Sequence, residues 1–163
     1  MNKKVRQMVR AALIAGLYVV LTHLQNLIFP NSATMAIQFR ASEALCVLAF
    51  FTPAAIPGLA VGCLLFNLTF IGSLPLDFLV GTLATLGAAG SMWLLRKVPI
   101  VGVWMPALWN AVLVGWELSV YIGGGFWITA LCVAIGEAAV LLTLGLVLYY
   151  SLKSRNLHTR LFA

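Results

Sequence analysis

Four carboxylates, Glu43, Asp77, Glu117 and Glu137, are the only acidic side chains in the chain, and each lies in or beside an apolar run. A carboxylate in hydrocarbon is costly, so such groups face a protein interior with partners, or a ligand path. Asn110 and Glu117 are seven residues apart and share one helix face, with Tyr121 one turn further on. Pro106, one turn before Asn110, removes the hydrogen bond to the Gly102 carbonyl and predicts a kink. Kink, amide and carboxylate in a row suit a binding wall, and equally suit hydrogen bonding between helices. Glu137 follows Gly136, which admits a close neighbour. Two carboxylates in one pocket suit a ligand that brings N–H donors or positive charge. A protonated glutamic acid bonded to a carbonyl is the plainer alternative.

Other polar groups have two readings as well. Arg40 and Glu43, at i, i+3, either pair with each other or shape a ligand site. Asn67 falls near the same end of its helix. Asp77 in a first turn complements the helix dipole. His23 is a lone histidine suited to packing. Trp116 and Trp127 suit either lipid contact or stacking on a flat ligand. Cys46, Cys63 and Cys132 are far apart, without metal-ligand spacing, and read as small packing residues. No metal or cofactor motif is present, nor a phosphate-binding loop, G-x-S-x-G or H-E-x-x-H. If the chain moves a solute uphill, the energy has to come from ions or from partner subunits.

The elements that position these groups follow from composition. Of 163 residues, 63% are hydrophobic and 9% charged, with mean hydropathy +1.05. A water-soluble domain of this size has no use for so much apolar surface, whereas a bilayer does. The expectation is one all-α integral membrane domain over residues 1–163. Its helices run roughly over 7–29, 39–51, 53–70, 76–95, 100–121 and 126–152. The stops are Pro30, Thr52-Pro53, Gly72 to Pro75, Arg96 to Pro99 and Gly123-Gly124-Gly125. The second helix is short for a ~30 Å core unless the residues before it contribute. The run from Ala11 to Phe29 exceeds a usual signal core and reads as a retained first helix.

Six helices place both termini on one side. With that topology nine of the ten basic residues fall on the terminal side and only Arg40 on the other, which by the positive-inside rule makes both termini cytoplasmic. The net charge of +6 therefore reads as topology and lipid contact, not nucleic-acid binding. The carboxylates then converge on the outer half, where they suggest a polar pocket open to the outside. Ala11 and Ala15, with Ala12 and Gly16, form a small-residue face for close packing within the chain or against another membrane protein.

Several stretches carry a family resemblance: Gln38-Phe39-Arg40, Ser42 to Leu45, Phe51 to Gly58, Gly81 to Leu86, Asn110-Ala111, Gly115 to Leu118 and Gly136-Glu137. In order and helix count they resemble the queuosine-precursor transporter family, QueT, a multi-pass family of the bacterial plasma membrane. Its members resemble substrate-binding (S) components of energy-coupling factor (ECF) transporters. The resemblance implies a binding protein rather than an enzyme, with a pocket roofed by the loop between helices 1 and 2. It implies as ligand a deazapurine, queuine or its aminomethyl-deazaguanine precursor. The implied partners are a shared membrane coupling subunit, which meets helix 1 at Ala11 and Ala15, and two cytoplasmic ATPases. The implied ligand-binding residues are Asn110, Glu117, Glu137, Arg40, Glu43, Trp116 and Asn67. A small intramembrane enzyme, a protein-binding assembly subunit and an S component for another polar substrate stay open as alternatives.

Overall fold

The computed structural model describes residues 2–30, 32, 37–70, 73–154 and 156, all of whose regular structure is helical. Helix α1 spans Lys3–Ile28. Asn2 caps it by accepting the Lys4 N–H at 3.2 Å, so the basic residues join the helix and it starts ahead of the expected Gln7. The expected roof over the pocket, residues 31–36, falls almost wholly outside the described residues, as do Gly72, Arg155 and Arg160.

The short second apolar run is a 3₁₀ helix, Ala41–Phe50, preceded by residues 38–40, which carry no regular structure and end in an extended Arg40. Ten residues of 3₁₀ geometry are uncommon, and each rises about 2.0 Å against 1.5 Å in an α-helix. The run therefore reaches about 20 Å, and the three residues before it add at most roughly 10 Å. Every residue from Ser42 to Phe50 is buried. This segment is the inner element of the bundle, touching α1 and the helices that follow: α2 (Ala55–Thr69), α3 (Asp77–Leu94), α6 (Phe126–Val140), a π-helical turn (Leu141–Gly145) and α7 (Leu146–Ser154). Around it α1 packs on α2, α2 on α3, α3 on α5 (Met105–Tyr121), and α5 on α6.

Glycine permits two of these close approaches. A Cβ on Gly62 would lie 2.7 Å from the Tyr18 Cβ, and one on Gly58 2.7 Å from the Ala11 carbonyl oxygen. Ala11 and Ala15 thus serve packing of α1 on α2, while Ala12 and Gly16 stay exposed. In hydrocarbon such fitting, rather than exclusion from water, holds helices together.

Two expected helices are interrupted. The stretch 100–121 divides into α4 (Pro99–Gly102) and α5, with Pro106 in the first turn of α5 rather than in a kinked middle. A first-turn proline forfeits no intrahelical bond, so a break costs less than a kink. The last helix crosses the π turn and continues to Ser154. The turn at Gly123, Gly124 and Gly125 has φ of +77°, +102° and +85°, values suited to glycine.

Among the described residues four helical stretches are long and apolar enough to cross a membrane: Lys3–Ile28, Asp77–Leu94, Pro99–Tyr121 and Phe126–Ser154. Large apolar side chains face outward, among them Leu27, Ile100 and Trp127, each more than 80% exposed. Lipid contact accounts for them.

Candidate functional site

The bundle's outer layer is apolar, and its interior collects the four carboxylates and Arg40. Arg40 enters from the extended segment and is 2% exposed. Its Nη1 lies 4.0 Å from the Cys63 thiol, and its guanidinium sits 5.8 Å from the centre of the Phe66 ring. Space for it comes from Gly81 on α3. A Cβ there would stand 2.8 Å from Asn67 Nδ2 and 3.8 Å from Arg40 Nη1. Tyr18, Glu43, Cys63 and Asp77 share the field of this guanidinium.

Glu43, on the 3₁₀ helix, is tied down at both oxygens. Oε1 accepts the Tyr18 hydroxyl at 2.5 Å, and Oε2 accepts the Cys46 thiol at 3.1 Å. Residues three apart eclipse in a 3₁₀ helix, which puts Cys46 beneath Glu43. The thiol is thus a donor to a buried carboxylate, beyond the packing role expected of it. Thr22 on α1 donates to Ser42 at 2.7 Å beside them.

Asp77 opens α3. Its Oδ2 accepts the Leu74 N–H at 2.7 Å, and its backbone carbonyl takes the Asn67 amide at 2.8 Å. It therefore does more than complement the helix dipole. It also lies beside Glu117 of α5.

Glu117 and Glu137 are different in kind. Both are fully buried, at 0% and 1% exposure. Neither Glu117 oxygen, nor Oε2 of Glu137, accepts a hydrogen bond from an amide, hydroxyl or thiol among the described residues, and the Asp77 carboxyl lies within hydrogen-bonding reach of Glu117. Asn67 Oδ1 and the Thr85 hydroxyl share that condition. Asp77 and Arg40 lie in the field of Glu117, Glu43 and Arg40 in that of Glu137. All four acids and Arg40 form one linked cluster.

The extended segment is clamped from two sides. On α1, Gln25 donates through Nε2 to the Phe39 carbonyl and accepts the Ala41 N–H through Oε1 at 2.6 Å. On α6, a Cβ at Gly136 would overlap the Gln38 carbonyl oxygen, whose carbon lies 2.9 Å from that position. Glycine here lets the backbone of residue 38 pass directly over the helix, next to Glu137.

Of the residues singled out from sequence, Arg40, Glu43, Asn67, Glu117 and Glu137 converge. Asn110 is buried on the same face of α5 as Glu117, where its amide donates to the Pro106 carbonyl at 3.1 Å. Trp116 is turned away from the cluster and is 50% exposed. One helical residue rotates the side chain by about 100°, so a tryptophan adjacent to buried Glu117 points to the outer surface. Trp127, 82% exposed, does the same. His23 packs edge-on to Phe66 and lies 3.1 Å from the Thr69 hydroxyl.

Sequence reasoning missed Tyr18, Thr22, Thr85 and Gln25, and underrated Cys46 and Cys63. Their signal was faint, since hydroxyls and thiols are common in membrane helices and their partners lie far along the chain.

Chemically, the cluster is rich in acceptors, with one buried guanidinium among the described residues. It is equipped to hold N–H donors or a cation away from water. No curated protein and no solved structure matches the chain. The model of the QueT transporter family matches residues 8–154. The chain belongs to the QueT transporter family and is a multi-pass membrane transporter rather than an enzyme.

Proposed function

We propose that this chain is the substrate-specificity component of an ECF-type importer, binding a queuosine precursor, queuine or aminomethyl-deazaguanine, from outside the cell. The observation that carries this reading is the set of buried, unpartnered carboxylate oxygens on Glu117 and Glu137. A buried carboxylate lacking donors costs several kcal/mol. Ligand N–H groups offset that cost. A deazaguanine edge offers adjacent N–H donors that one carboxylate accepts as a pair, and an aminomethyl group offers a cation.

The path through the bilayer fits six spans in one membrane domain. The 3₁₀ helix with the three residues before it reaches up to about 30 Å, the thickness of a hydrocarbon core. With six spans, the basic ends lie in the cytoplasm of a bacterial cell and the carboxylate cluster opens outward. Arg40 and Glu43 then shape the site, and Asn67 holds Asp77 beside Glu117.

Import against a gradient is driven by a shared membrane coupling subunit with two cytoplasmic ATPases. Docking is assigned to the N-terminal half of α1. There an apolar groove of about 610 Å³ is lined by Ala11, Ala15, Pro53, Pro57 and Gly58, with Lys4 at its rim.

The test is uptake of labelled aminomethyl-deazaguanine into proteoliposomes carrying this chain with the coupling subunit and ATPases. Uptake is expected only with internal ATP, and is lost with Glu117→Gln. Uptake that needs neither ATP nor the partner subunits contradicts the reading.

A further inference from the structure

Two of the buried acids meet side by side. Asp77, at the start of α3, and Glu117, on α5, are 2% and 0% exposed, and their carboxyl groups lie within hydrogen-bonding reach of each other. Two buried carboxyls this close cannot both carry a charge, so one proton lies between them. Their other contacts decide which of them holds it. Asp77 has a donor of its own, the Leu74 N–H at 2.7 Å from Oδ2, and stands in the first turn of α3, where the helix dipole favours an anion. Glu117 accepts nothing from an amide, hydroxyl or thiol among the described residues. The anion therefore belongs to Asp77, and Glu117 donates to it as a neutral acid.

The other groups around Glu117 do not change that balance. Among the described residues, α3 has no titratable side chain besides Asp77. On α6, also packed on α5, Glu137 lies in the field of Glu43 and Arg40, and Cys132 is only partly buried. On α5 itself Tyr121 is exposed. Arg40 acts on all four acids, so its single charge is spread among them.

Resting on the reading proposed above, we infer that Asp77 is a working part of the site: it keeps a proton on Glu117 in the empty transporter, and the arriving ligand expels that proton. A ring edge with paired N–H donors needs both Glu117 oxygens as acceptors. The Glu117 O–H bond breaks, its proton passes to solvent, and the ligand's N–H groups take its place on the resulting carboxylate. Binding is thus an exchange of a proton for the ligand. Affinity rises with pH, by about tenfold per pH unit where the empty pair holds the proton fully.

Infrared difference spectra of the empty, purified protein test the proton itself. A carboxylic acid C=O stretch, absent from a carboxylate, is expected in the wild type at neutral pH and lost in both Glu117→Gln and Asp77→Asn. In the second variant the new amide donates to Glu117 and leaves it ionised, while its oxygen still accepts the Leu74 N–H. Glu117→Gln alone supplies the comparison if Asp77→Asn does not fold. Titration calorimetry with aminomethyl-deazaguanine in phosphate and in Tris, whose ionisation heats differ, then counts protons. About one is released per ligand in the wild type and none in Asp77→Asn. A merely structural role for Asp77 would leave that count unchanged. Spectra that neither substitution alters, or binding whose heat is the same in both buffers, overturn the inference and leave the deazaguanine reading intact. Folded protein that binds no deazaguanine overturns that reading and the exchange with it, and the infrared band alone then decides the shared proton.

Discussion

At Glu43 and Glu117 the same side chain type meets opposite circumstances. Glu43 is bonded at both oxygens by Tyr18 and Cys46, and Glu117 at neither among the described residues. On the proposed reading the first is part of the framework and the second, with only the Asp77 carboxyl against it, is available to a ligand. Tyr18→Phe removes a donor from a buried carboxylate, which should lower stability by about 1–3 kcal/mol. Denaturation of the unliganded protein measures that loss. If Glu117 contacts the ligand as proposed, Glu117→Gln should leave unliganded stability unchanged or raised while weakening deazaguanine binding by about 100-fold, near 3 kcal/mol. Calorimetry of the two variants side by side separates the roles. The importance of Glu117 is legible in sequence, because a carboxylate in an apolar run is expensive wherever it points. The Tyr18–Glu43 bond is not, because its partners lie 25 residues apart and meet only through packing of the 3₁₀ helix on α1.

Among the elements, the extended segment and its 3₁₀ continuation carry the site. Gln25 holds this segment from one side and Gly136 admits it from the other. Gln25→Ala leaves the Ala41 N–H and Phe39 carbonyl without those bonds, and should weaken ligand binding by letting Arg40 and Glu43 shift. Gly136→Val would collide with the Gln38 backbone and should reduce both folding yield and binding, read from the monodisperse fraction on size exclusion. Helix limits were largely readable because proline and glycine clusters punctuate apolar runs. The 3₁₀ geometry was not, since a stretch as evenly apolar as Ala44 to Phe50 carries no period to distinguish three residues per turn from 3.6. The division before Met105 was also missed, because proline marks a disturbed helix without saying whether the chain bends or restarts. Trp116, open in sequence to either lipid contact or stacking on a ligand, lies on the outer surface because rotation about α5 turns it away from Glu117.

For the molecule as a whole, polarity is inverted relative to a soluble protein. Its carboxylates are inside, many of its leucines and most of its tryptophans outside, and its basic residues other than Arg40 gather near the ends and the turn before Pro99. Lipid in place of water as the surrounding medium explains this arrangement. The proposed topology makes a definite prediction. Cysteines placed singly at Lys97 and Lys153 should react with an impermeant thiol reagent only from the cytoplasmic side, and one at Ser73 only from outside, each compared with the unaltered chain.

The central claim, that the buried carboxylates form a deazaguanine site, is tested most directly by ligand-induced thermal stabilisation of the purified protein. The panel is queuine, the aminomethyl and cyano precursors and guanine, with riboflavin as control. Binding to the folded state alone raises the unfolding temperature by mass action. The account predicts a rise with queuine or the aminomethyl compound, none with riboflavin, and loss of the rise in Glu117→Gln. Well-folded protein that responds to no deazaguanine, or that responds unchanged after Glu117→Gln, would contradict it.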